Sequence, residues 1–339
     1  MALSLTGVNA ITNKDIIPKL WDVVFKYSPL LVRARTKYSY KFYGGTSIQA
    51  PITYKKLAGG AFQRGSAVDI TWINTETAFQ VVPKYYYVSV VLFGTDGVLN
   101  MGPEAAFSQI EAKMANASAA MGENLAEEMY YSGLNIAGVA TNLGPCPTTG
   151  GDTTAISLDG MAQWIDDGNT VTTVGGITRT DLNAVNGTPG GGNAWVASIG
   201  GQIQTTDLNQ AIGKTWFGPN RVDIITVSPD VFMFIQNKIQ PQQRFERTDT
   251  DLAKAGFQAI QYMGADLVVD NYTPAGSAWG INSRYFQFYI SQNRLFQFGF
   301  TGFKEDQATV GDVAGQYAFG GDLVIPNPRT CFQLYGITS

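Results

Sequence analysis

Histidine is absent from the 339 residues, and cysteine occurs twice, at Cys146 and Cys331. No Ser-His-Asp or Cys-His nucleophile can be assembled from such a chain, nor a histidine-based zinc or facial-triad iron site. Two cysteines cannot complete a four-cysteine cluster. The chemistry that remains belongs to carboxylates, lysines, tyrosines or an oxygen-ligated ion. Glu123, Glu127 and Glu128 are the densest carboxylate group. Glu123 and Glu127 stand four residues apart on one helical face, a spacing that an acid–base pair would use. The same spacing describes a solvated or interface face awaiting Arg or Lys, which is the reading adopted here. LNQAIGKT (208–215) ends like a phosphate-binding loop, but Leu208 occupies the place of its first glycine, so a helix end and turn are predicted. DTDLAK (249–254) opens like a calcium loop, yet Ala253 replaces an oxygen ligand and Lys254 the turn glycine. The glycine runs at 175–176, 190–192 and 200–201 read as turns rather than phosphate cradles. KYSYKFY (37–43) alternates as a stacking platform for single strands would, and as any amphipathic strand does. No catalytic, cofactor or metal constellation survives.

Composition points the same way. Charged residues are 15% of the chain, against roughly 25% in an ordinary domain. With 23 basic and 27 acidic residues, the formal charge of −4 argues against a nucleic-acid binder steered by its overall field. Cysteine usage suits a reducing compartment. The N-terminal sequence has no basic segment followed by an apolar run, and no stretch is long and apolar enough for a membrane span. The N-x-[ST] matches at Asn116, Asn186 and Asn271 are therefore read as chance.

Residues 8–34 carry helical spacing (Ile16, Ile17, Leu20, Val24) broken by Pro18 and closed by Pro29, an arm rather than a domain. Residues 35–99 read as strands around a glycine-rich tip (57–67), a two-stranded excursion with KYYYVSVVLFG running back. Such a ribbon is marginal alone and its aromatic surface needs a support, predicted to be a neighbouring subunit. Pro103 opens the clearest helix, with Ile110, Met114, Ala117, Met121, Leu125 and Glu128 along one stripe and Gly133 as its stop. Residues 134–200 are rich in Gly and Thr. VDIITVS (222–228) is a short buried strand feeding a helix that Ser228 caps and Pro229 opens. GADLVVD, YFQFYI and RLFQFGF are further strands, and the paired prolines of DLVIPNPRTCFQLYGI place that segment at a sheet edge. The fold class is α+β.

Four stretches in this order carry a family likeness. NLAEEMYYSG (124–133), followed by NIAGVATNLG, resembles the end of a spine helix and its turn. VGGITRTD (174–181) is similar to a Gly-Gly-Ile-x-Arg-Ser/Thr segment. KAGFQAIQYMGADLVVDNYTPAG (254–276) resembles a strand pair ending in Pro-Ala-Gly. GGDLVIPNPRTCFQLYGI (320–337) is similar to a closing strand with Asn-Pro-Arg. Together they resemble the major capsid protein of tailed double-stranded DNA bacteriophages, the coat fold shared with encapsulins and the herpesvirus capsid floor. Asp322 departs from the family's frequent asparagine, and Thr180-Asp181 is not followed by the aromatic-rich segment of many relatives.

The resemblance implies an N-terminal arm (1–34), an extended β loop with flanking peripheral strands (35–99), and a peripheral-domain spine helix (100–133). It further implies a mostly axial domain with peripheral segments (134–300) and closing strands (301–339). It implies a non-enzymatic subunit that assembles with itself, through hexamers and pentamers, into an icosahedral shell around the phage genome. A portal protein is an expected partner, with separate scaffolding and decoration proteins as further candidates. Packaged DNA would be touched non-specifically, and no membrane or cofactor is involved. The place of action is the virion, assembled in the host cytoplasm. The Met-Ala start favours the absence of a fused scaffolding segment. Candidate inter-subunit contacts are Lys55, Lys56, Arg64 and Asp69 on the loop and Glu123 and Glu127 on the helix. An encapsulin-type compartment holding a protein cargo is the alternative, and a glycoside-active enzyme using Glu123 and Glu127 the remote one.

Overall fold

The structure is a computed structural model and describes residues 28–55, 57, 59–68, 70–93, 109–131, 157–183, 192–239, 259–292, 297–305 and 313–338. Outside these lie most of the arm, Lys56, Asp69, Pro103, Gly133, Cys146, Asn186 and the DTDLAK segment. Along the chain run helix α1 (Pro29–Lys37), strands β1 (Ser39–Phe42), β2 (Ile48–Thr53), β3 (Glu76–Val81) and β4 (Lys84–Leu92), and helix α2 (Gln109–Tyr131). Next come α3 (Met161–Trp164), β5 (Thr173–Val174), β6 (Ile177–Thr178), α4 (Arg179–Asn183), β7 (Trp195–Gly201) and α5 (Thr205–Thr215). The chain closes with β8 (Ile224–Val227), α6 (Pro229–Ile239), β9 (Ala259–Tyr262), β10 (Ala265–Val269), β11 (Ala278–Ile281), β12 (Gln287–Ser291), β13 (Gln297–Glu305), β14 (Val313–Val324) and β15 (Phe332–Ile337).

Two sheets organise the molecule. In the first, β14 is the trunk: β4 lies along one edge from Val313 to Gly321, while β13 and then β12 share the other. β1 adds a parallel strand beyond β12. The second sheet has the order β7-β15-β11-β8-β10-β9. Each has its own core. Phe288, Phe319 and Leu323 of the first sheet share a cluster with Met121, Leu125 and Met129 of α2. Leu208 and Ile212 of α5 and Val231 and Ile235 of α6 pack with Ile225, Val227 and Leu267 of the second. Close strand approach fixes two glycines. A Cβ on Gly321 would sit 2.0 Å from the Tyr289 carbonyl oxygen, and one on Gly280 would sit 2.1 Å from the Phe332 ring.

After the long passage from β4 to β7, the chain crosses directly between the sheets twice, from β11 to β12 and from β14 to β15. Here the expected edge position for the proline pair is overturned. β14 and β15 are both interior strands, and Pro326 and Pro328 occupy the crossing between them. A missing N–H costs nothing outside a ladder, and Pro328 begins a one-turn helix, Pro328–Thr330.

Pro29 likewise opens a helix rather than closing one. Ser28 Oγ accepts from the Leu31 N–H at 3.3 Å, and Arg35 and Lys37 lie in the last turn, where the helix dipole favours cations. The strand-to-helix reading of 222–239 holds in outline, with Pro229 as first residue of α6. The Ser228 hydroxyl, however, is buried with no hydrogen-bond partner among the described residues, so it does not cap the helix. The 23 residues of α2 span about 35 Å. Its buried face comprises Ala117, Met121, Leu125, Ala126, Glu128, Met129 and Tyr130.

Candidate assembly interface

The ribbon is shorter than the alternating sequence suggests. Its ladder pairs only Ile48–Thr53 with Glu76–Val81. KYYYVSVVL belongs to the body as β4, and β1 is an edge strand of the same sheet, with Tyr38 edge-on to Phe286 at 5.9 Å and Tyr40 5.6 Å from Tyr289. Of the aromatics weighed as a stacking platform, Tyr38 and Tyr40 thus pack against their own chain, whereas Tyr43 is exposed.

The base of the ribbon is built into the subunit. Phe79 is buried, with its ring edge-on to Trp164 at 5.3 Å. The Gln80 N–H donates to the Gly175 carbonyl at 2.8 Å. Gly175 and Gly176 form the turn between β5 and β6 at φ 52° and 77°, the left-handed region that glycine enters at least cost. A Cβ on Gly175 would lie 2.8 Å from Phe79, so that glycine is also a contact surface. Arg179, four residues on, is buried; its guanidinium donates to the carbonyls of Gln163 at 2.7 Å, Trp164 at 3.1 Å, and Gly192. Burial lowers its pKa, partly offset by Asp166 and Asp167. The VGGITR segment is therefore the clamp under the ribbon, a role that composition and spacing did not reveal.

Beyond the base the loop is apolar and exposed. Ile70 is 93% and Trp72 83% exposed, and Leu57, Phe62 and Val68 are exposed with them. Tyr85, Tyr87, Val91 and Phe93 present a second exposed apolar row along and just beyond β4. Side chains of this size are seldom gathered in the open unless another surface covers them. Among the candidate contacts, Lys55 lies with its Nζ 4.9 Å from the ring of Tyr54, and Arg64 is exposed in the turn at the tip. Glu123 and Glu127 are half-buried on α2, whereas Glu128 is completely buried. Among the described candidates, Lys55 and Arg64 lie between β2 and β3 of the ribbon, and Glu123 and Glu127 on α2.

Two buried polar clusters tie the subunit together. Asp270 accepts from Ser28 Oγ at 2.6 Å, Tyr130 Oη at 3.2 Å and the Tyr272 N–H at 3.0 Å. One carboxylate thus joins the start of α1, the end of α2 and the second sheet. Burial raises the Asp270 pKa, and these donors counter part of that effect. Burial, joined by the nearby Asp270 charge, also raises Tyr130 well above its ordinary value. The second cluster is Lys84, Asp159 and Asp322. Lys84 Nζ lies 3.9 Å from Asp159, while Asp322 Oδ1 accepts from the N–H groups of Asp159 at 2.9 Å and Leu323 at 2.8 Å. Burial pushes Asp159 up to about 6 despite Lys84. Burial, then the neighbouring Asp159, pushes Asp322 well above the carboxylate range. Cys331 is a buried thiol pushed up to about 12 by burial. Among the described residues no group of three or more acidic or cysteine side chains could hold a metal ion, and no helix is long and apolar enough to cross a membrane.

No family profile matches the sequence, and no curated protein matches it. Solved structures do. The chain is similar to the cyanophage A-1(L) capsid subunit at 15% identity, with 96% of each chain covered and a TM-score of 0.66. It is similar to the capsid of a native GTA particle at 8% identity, covering 100% of this chain and 99% of that one, with a TM-score of 0.60. The SrpI encapsulin of Synechococcus elongatus PCC 7942 matches at 11% identity over 99% of this chain and 96% of its own, with a TM-score of 0.56. At such identities what is shared is the fold. This chain has the α+β coat fold of tailed-phage capsids and encapsulins, over essentially its whole length.

Proposed function

We propose that this chain is the major capsid protein of a tailed bacteriophage, a non-enzymatic subunit that assembles through hexamers and pentamers into an icosahedral shell around double-stranded DNA. The observation that carries the reading is the coincidence of the coat fold with a ribbon whose base is locked into the subunit and whose apolar tip is bare. An exposed apolar loop and an exposed apolar row on β4 of the same subunit suit a heterologous contact, in which one copy's loop covers a different surface of the next and rings close. Lys55, Lys56, Arg64 and Asp69 would act at that contact, and Glu123 and Glu127 along the helix. The arm, loop, spine and axial divisions implied by the resemblance remain the working domain plan. A portal protein, separate scaffolding and decoration proteins, and non-specific contact with packaged DNA complete the expected partners. Assembly would take place in the host cytoplasm and the product would be a virion component.

The encapsulin match supports a second reading, a compartment with a protein cargo. Expressing the chain and imaging the product by electron microscopy tests both. Closed shells, rings or tubes support a coat subunit, and a persistent monomer with no particles, even with lysate of an infected host added, contradicts it. Nuclease-resistant DNA inside particles from infected cells favours the capsid, whereas a co-purifying protein cargo favours the compartment.

A further inference from the structure

Three arginines from separate parts of the chain converge on the turn Trp216–Arg221, which links α5 to β8. The turn is rigid: Phe217 and Asn220 exchange backbone hydrogen bonds at 2.9 and 3.0 Å, Trp216 Nε1 donates to the Gly218 carbonyl at 2.9 Å, and Gly218 sits at φ 60°. Arg221 places its guanidinium 5.7 Å from the Trp216 ring centroid and against Gly264, where an added Cβ would come within 3.0 Å of it. Arg284, on the first crossing between the sheets, donates to Asn220 Oδ1 at 3.2 Å. Arg329, on the second crossing, lies 3.5 Å over the Phe217 ring, with its Nε buried and lacking a hydrogen-bond partner among the described residues.

None of the three is in an ion pair among the described residues. Arg33, by contrast, finds Asp266 at 3.4 Å. The Asp223 carboxylate, two residues beyond Arg221, accepts from the Ser283 N–H at 2.7 Å and is in no ion pair with the three arginines. Three like charges held around one turn repel each other, and the arrangement is favourable once an anion joins it. Guanidinium groups stacked on rings keep their N–H edges for bidentate oxyanions and lose little freedom on binding.

We infer that Arg221, Arg284 and Arg329 form an inter-subunit site for carboxylates of a second copy of this chain. The inference rests on the coat-subunit reading above. A chain with four more acidic than basic residues supplies the complementary charge. Glu76, Glu123 and Asp230 stand outside any ion pair among the described residues, on elements other than the arginine turn. Duplex DNA is the less favoured occupant, because the cations surround a single turn instead of running as a stripe along an element, and the net charge opposes it.

The test is sedimentation of the full chain, wild type against Arg221→Glu/Arg284→Glu, at low and high salt, with melting curves of each. Arg221→Gln/Arg284→Gln serves as a second variant should charge reversal disturb folding. Wild-type assembly is expected to weaken with salt, and the reversed variant to associate about tenfold more weakly or worse with an unchanged melting temperature. Variants that assemble like wild type would overturn the inference and leave the coat reading standing. Wild-type chain that forms no assemblies under any condition would overturn both. Normal assembly of the variants with weakened binding to short duplex DNA would assign the arginines to nucleic acid and likewise overturn it.

Discussion

The base and the tip of the ribbon are the same two stretches of chain some residues apart, yet they solve opposite problems. At the base, Phe79 is enclosed by Trp164 and the Gly175 turn, and the Gln80 N–H and the Arg179 guanidinium donate to backbone carbonyls. At the tip, Ile70 and Trp72 are almost wholly open. The apolar effect at about 25 cal/mol per Å² acts on both, but within one subunit only the base can collect it. Burial that stabilises the subunit and the apolar surface left over for the proposed contact with a neighbour thus lie in adjoining but separable residues.

Substitutions can break that separation or sharpen it. The largest effect on the free subunit is expected from Trp164→Ala, which removes the ring under Phe79 and its Nε1 hydrogen bonds to Asp159 and Leu323. A cost of about 3–5 kcal/mol is expected in denaturant melts. Gly175→Val should follow, at about 2–3 kcal/mol, because it combines a positive-φ residue with a clash against Phe79. A Gly175→Val subunit as stable as wild type would show that the clamp is not what holds the base.

The buried acid pair gives an intermediate effect with a definite sign. Asp159 and Asp322 both have folded pKa values raised above their unfolded ones. Their contribution is therefore fully present below the ordinary aspartate range near pH 4 and is lost as pH rises through about 6, where Asp159 titrates, and further as Asp322 follows. Asp322→Asn mimics the protonated acid and should stabilise the subunit at pH 8 by on the order of 1 kcal/mol while flattening the pH slope. An unchanged slope in urea melts between pH 5 and 8 would contradict this. The smallest effect on the free subunit belongs to Ile70→Ser/Trp72→Ser, expected within about 0.5 kcal/mol of wild type by the same melts.

Local chemistry was readable from sequence wherever neighbours in the chain decide it. The strand-to-helix junction at Pro229, the buried stripe of Ala117, Met121 and Leu125 and the helix ending at Thr215 all follow from spacing and turn residues. Pairing across long separations was not. Ser28 and Asp270 are hydrogen-bonded 242 residues apart, and nothing in either segment announces the other. Alternation in KYSYKFY and KYYYVSVVL fits a free ribbon and a body strand equally, so the ladders with β12 and β14 decided it. Pro326 and Pro328 misled because proline excludes a central ladder position only where the strand continues through it. Of the site, the loop itself was visible as aromatic surface without support, but the Gly175–Arg179 clamp was masked by its likeness to ordinary turn sequence.

The most direct test of the account images wild-type chain and the Ile70→Ser/Trp72→Ser variant side by side by electron microscopy, with melting curves of both. The account expects shells or rings from the wild type, none from the variant, and superimposable melting. Shells from the variant as abundant as from wild type would contradict it, since the tip would then have no part in joining one subunit to the next.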